Sequence, residues 1–133
     1  MTRRTSRRRL MQWIYACDIQ DNLQGIFKDY PLEDIKEGRE LHYAHDLLES
    51  LATHIESIDE LLNEISYTWP VNRMNKVDLA LLRLATTEIL YLPEIPKEVS
   101  INEAMEISKI YSSPDSYSFI NGVLGSVVKY GKD

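Results

Sequence analysis

Five arginines fall within seven residues, Arg3, Arg4, Arg7, Arg8 and Arg9, and they carry the plainest chemistry in this 133-residue chain. A guanidinium is permanently charged, and its planar fork pairs with phosphates or base edges and stacks on them. The stretch holds no acid, whereas the rest of the chain sets ten basic residues against twenty-one acidic ones, a balance of −11. A basic arm on an acidic body is the charge pattern of polyanion binding confined to the arm. A solvated, disordered tail is the other reading of the same residues. Tyr15 follows Arg7 to Arg9 by six to eight residues, about two helical turns, so both can border one groove. Single-stranded RNA favours such exposed aromatics, and Gln12, one turn before Tyr15, can hydrogen-bond a base. For Tyr15 alone, a half-buried core position is an equal reading.

Other chemistry is sparse. His42, His45 and His54 lack the HExxH pattern, and Cys17 is the single cysteine, so no zinc set and no disulfide framework is expected. Cys17 is read as a small buried hydrophobe. No glycine-rich phosphate loop, GxSxG elbow or dinucleotide fingerprint occurs, and carboxylates on amphipathic helices usually form the solvated face. An enzyme is therefore not expected, nor a cofactor. Apolar runs such as Leu79 to Leu82 are far shorter than the roughly 20 residues of a membrane span. The arginines are followed by no apolar signal region, so a cytoplasmic protein is expected.

The residues must be positioned by helices. Lys76 to Leu92 is apolar around most of a 3.6-residue wheel, which predicts a buried central helix stopped by Pro93 and Pro96. Asp78 sits in its exposed first turn. Glu88 is surrounded by Leu81, Leu84 and Leu92 on the wheel, so it should be buried and paired, an arginine being one candidate. Arg83 and Thr87 are one turn apart and suit a polar seam. Thr5 or Ser6 is expected to cap a first helix to about Leu23, leaving the arginines on a tail and first turn. A short helix from Pro31 to Glu37, ended by Gly38, and an amphipathic helix from Arg39 to Glu56 follow. A separate helix is expected from Ser57, which forms a capping box with Glu60, to just before Trp69. Ser100, boxed with Glu103, starts a helix to Tyr111, and Asp115 or Ser116 starts a last one ended by Gly131. No segment alternates with period two. The expectation is an all-α single domain over residues 1–133 with a basic arm at 1–9 and about seven helices.

Three stretches resemble the NusB transcription antitermination family: the arginine-rich start running into Gln12-Trp13-Ile14-Tyr15, the central Val77-Asp78-Leu79-Ala80-Leu81-Leu82-Arg83-Leu84-Ala85, and Ile95-Pro96-Lys97-Glu98-Val99-Ser100-Ile101-Asn102-Glu103-Ala104 continuing to Phe119-Ile120-Asn121-Gly122-Val123-Leu124. The resemblance implies two small helical bundles that pair with NusE, a small-subunit ribosomal protein. The pair would bind boxA RNA of nascent transcripts within an RNA polymerase antitermination complex, notably during ribosomal RNA synthesis. By position, Arg3, Arg4 and Arg7 match the family's basic arm, Tyr15 its tyrosine near RNA and partner, and Asp115 an acid beside the RNA. Phe119 matches the aromatic of the last helix, where simple packing is as good a reading, and Asp78 an acid associated with NusE contact. The chain departs from the pattern at Arg8, Thr87, Ser118 and Gly125, and the first of these shifts cationic surface toward the first helix, adding Arg8 to the candidates. A homodimer is compatible with the family. Two alternatives keep the fold: a helical oligomerisation module, or a stand-alone relative of the RNA-binding domain of ribosomal RNA cytosine methyltransferases.

Overall fold

The structure, a computed structural model, describes residues 1–130. Among them the chain forms five α-helices, α1 (Arg3–Ile19), α2 (Gly38–Ile65), α3 (Lys76–Tyr91), α4 (Lys97–Tyr111) and α5 (Pro114–Tyr130), with three single 3-10 turns and no strand. Gly131, expected to end the last helix, lies outside the described residues.

The central helix is where its apolar wheel places it. α3 packs against α1, α2, α4 and α5, and twelve of its sixteen residues, from Asp78 to Ile89, are buried without a break. Asn75 caps it, its side-chain oxygen accepting from the amides of Val77 (2.8 Å) and Asp78 (3.3 Å). The core formed around it draws on all five helices, including Leu10, Ile14, Leu48, Leu51, Leu81, Leu82, Ile107 and Leu124. Cys17 belongs to the same core, and its burial pushes the thiol pKa up.

Five helices stand where about seven were expected, for two local reasons. The Pro31–Glu37 segment makes a single 3-10 turn over Leu32–Asp34, and Ile35 and Glu37 are already extended. Gly38 therefore opens α2 instead of ending a helix before it. The helices expected on either side of Ser57 are one run, kinked at His54 (φ −115°, ψ 16°), where the ring stacks on Tyr91 at 4.0 Å. Ser57 is never a cap because the backbone stays helical past it.

The ends of α1 and α4 also differ from expectation. Thr2, not Thr5 or Ser6, caps α1, accepting from the Thr5 amide at 3.1 Å, so the arginines stand on a helix and not on a tail. α1 stops at Ile19 because Asp21 takes the left-handed conformation (φ 54°). The Asn22 amide then bonds the Cys17 carbonyl (2.7 Å) and the Asp21 amide that of Asp18 (3.1 Å), the paired closure of a Schellman motif. α4 begins at Lys97 after Pro96, which puts Ser100 inside the helix with its hydroxyl turned to the core.

Candidate nucleic-acid interface

The arginine cluster divides by the side of α1 that each residue occupies. Arg7 points inward: its Nε and Nη2 donate to the two Glu88 oxygens at 2.7 and 3.0 Å. Glu88, 1% exposed, also accepts from the Tyr43 hydroxyl (2.5 Å) and the Ser100 hydroxyl (2.8 Å). Burial, and then the Glu88 charge, pushes the Tyr43 pKa well above its ordinary value, so the phenol stays a donor. The expected burial and pairing of Glu88 hold, and its partner is Arg7. By the same geometry Arg7, placed on the RNA-binding arm by the resemblance, is corrected: its guanidinium is committed to the core. Arg3 donates to Glu40 at 2.9 Å and lies 4.2 Å over the Tyr43 ring. Burial pushes the Glu40 carboxyl up, but hydrogen bonds from Arg3 and Ser6 outweigh it and hold the carboxyl below the usual range. These contacts offset the unfavourable placement of cations at a helix amino terminus.

Arg4, Arg8, Gln12 and Tyr15 follow one another at spacings of four, four and three, so they form one stripe on α1. Arg4 holds Glu103 with Nε (2.9 Å) and Nη2 (2.8 Å), and this hydrogen bond keeps the Glu103 carboxyl below the usual range. Arg8 has no ion pair among the described residues, and its buried Nε has no hydrogen-bond partner. Gln12 Nε2 donates to the Tyr111 hydroxyl at 3.1 Å. Tyr15 is half-buried and, with Met11, Gln12, Val77 and Tyr111, lines a cleft of about 250 Å³.

The residue after Tyr111 leads to a second groove. Ser112 donates to Asp78 at 2.8 Å, and Asp78 lines a 280 Å³ groove with Trp69, Asn75, Asp115, Ser116 and Phe119. Three of the expected residues, Asp78, Asp115 and Phe119, thus meet at one place. Asp78 was expected on an exposed turn, but it is only 5% exposed, because the end of α4 folds over the start of α3. Phe119 both packs on the core and lines this groove. Tyr111 and Trp69 were missed as site residues. Tyr111 reaches Gln12 across 99 positions of sequence, and no local pattern marks such a pairing.

Arg83 and Thr87 form the expected seam. Arg83 grips Asp59 of α2 with Nε (3.0 Å) and Nη2 (2.7 Å) and reaches Asp18 of α1 with Nη1 (3.3 Å), while the Thr87 hydroxyl bonds the Arg83 carbonyl at 2.7 Å. No described helix is long and apolar enough to cross a membrane.

A family profile described as the NusB family matches residues 4–129. The transcription antitermination protein NusB of Alkaliphilus oremlandii is 38% identical over 131 residues, covering 97% of this chain and 94% of the relative. That of Listeria innocua is 36% identical over 132 residues, covering 99% of this chain and the whole of the relative. Among solved structures, T. maritima NusB superposes with a TM-score of 0.83 at 28% identity, over 97% of this chain and 92% of that one. An antitermination factor NusB solved with NusE and double-stranded RNA shares the fold, with a TM-score of 0.77 at 22% identity over 96% of each chain.

Proposed function

The chain belongs to the NusB family, and from that premise we propose that it is a non-enzymatic transcription antitermination factor that binds boxA RNA of nascent transcripts together with NusE. The observation that carries the reading is the α1 stripe, where the unpaired Arg8 guanidinium stands one turn from Gln12 and two from Tyr15. Charge for a phosphate, an amide for a base edge and an aromatic face are thereby aligned on one rigid helix. Arg4 contributes beside them, since Glu103 occupies its Nε and Nη2 and leaves Nη1 for a phosphate. Asp115 and Phe119 extend the RNA side along the start of α5, Asp78 lies on the side of the partner protein, and Tyr15 borders both. The acidic remainder of the surface discourages indiscriminate binding of nucleic acid.

A fluorescence titration with labelled boxA RNA, with and without NusE, tests the reading. The expected result is RNA binding that tightens when NusE is present. Equal affinity with and without NusE contradicts it.

A further inference from the structure

We propose that the cleft between α1 and the end of α4 takes one unstacked base of the bound RNA, with Tyr111 as the aromatic wall facing Tyr15 and Gln12 as the group that meets the base edge. The inference rests on the RNA-binding reading above and deepens it.

Tyr111 is not used by the core. It is 40% exposed at the last position of α4, whereas Ala104, Met105 and Ile107 supply that helix's packing. Its hydroxyl instead accepts from Gln12 and fixes the amide at the mouth of the cleft. The cleft has about 250 Å³ of space between two tyrosines, Met11 and Val77, and no charged side chain lines it. Such a lining suits the flat, uncharged face of a base, because base–aromatic stacking tolerates an apolar surround. It does not suit a basic peptide, which would need a carboxylate within the lining. The phosphate belonging to that base has its counter-charge close by, since Arg8 stands one turn before Gln12 on the same stripe and is unpaired. With one Gln12 N–H given to Tyr111, the amide still presents one N–H and its carbonyl oxygen. That remaining donor and acceptor can meet the Watson–Crick or Hoogsteen edge of an unstacked base.

The test is a set of titrations of the full chain with NusE on boxA RNA and on the same RNA carrying one abasic nucleotide at each position in turn. Tyr111→Ala should bind the intact RNA about tenfold more weakly than wild type, and Tyr111→Phe, which keeps the ring, should stay within about twofold. On the one RNA that lacks the inserted base, wild type and Tyr111→Ala should bind alike. A circular-dichroism melt checks that each variant is folded; should Tyr111→Ala fail to fold, Tyr111→Leu takes its place in the same comparison. A Tyr111 variant that binds intact RNA like wild type, or is weakened equally on every abasic RNA, overturns the inference. Wild-type protein that binds no RNA at all overturns the antitermination reading instead.

Discussion

Replacing Glu88 with alanine should lower the free energy of unfolding by about 3 kcal/mol, the lower end for a broken buried pair, because it takes the bidentate partner from the buried Arg7 charge and leaves it only Glu103, 3.8 Å from Nη1. The carboxylate accepts four hydrogen bonds, two from Arg7 and one each from Tyr43 and Ser100, and those donors come from α1, α2 and α4. The Tyr43 and Ser100 hydroxyls lose their partner inside a core from which water is excluded, so each also carries a desolvation penalty. Urea denaturation followed by circular dichroism measures the loss. The double variant Arg7→Met with Glu88→Leu should recover much of it, since an apolar pair of similar volume removes the charge along with its partner. A Glu88→Ala variant within about 1 kcal/mol of wild type would show that the cluster does not tie α1 to α3.

Arg83→Met should be the second costly change, at about 2–3 kcal/mol, below the full range for a buried pair because Asp59 keeps some contact with water. The Arg83 side chain is 4% exposed and joins Asp59 to Asp18, whose side chains are 23% and 9% exposed. Without the guanidinium, Asp59 loses its cation and Asp18 keeps only Lys76, 3.2 Å away at the start of α3. Arg83→Lys should fall between wild type and the methionine variant, because one ammonium cannot reproduce the bidentate grip on Asp59 while also reaching Asp18. Urea midpoints of the three proteins give the order directly. A lysine variant as stable as wild type would show that charge alone, not the planar fork, holds the seam.

The parts of this fold legible in the sequence are those governed by local pattern. α3 runs to Tyr91 where the wheel and Pro93 predict Leu92, and the pairing of Glu88 follows from a carboxylate ringed by leucines. What a single sequence does not mark is which distant residue answers. Arg7 and Glu88 are 81 positions apart, so Arg7 read as one more member of a solvent-facing cluster. The same holds for Arg3 and Arg4, whose acids, Glu40 and Glu103, lie on α2 and α4. Capping rules misled at Ser57 and Ser100, where a serine three residues before a glutamate lies inside a helix. Of the candidate site, the spacing of Arg8, Gln12 and Tyr15 was legible because one helix sets it. Tyr111 and Trp69 were not, because their place depends on how α4 and the turn before α3 close over the front of α1 and α5.

On the RNA-binding reading, a single face of α1, and not the arginine count, presents the charge. Arg8 and Arg9 are neighbours in sequence, but Arg9 turns toward Met1 and acts on Tyr30 and Glu37, away from the Gln12 and Tyr15 stripe. The most direct measurement is the salt dependence of boxA RNA affinity, with NusE present, for wild type, Arg8→Gln and Arg9→Gln. The slope of log affinity against log salt should fall by about one unit for Arg8→Gln and stay at the wild-type value for Arg9→Gln. Equal slopes for the two variants would contradict that reading.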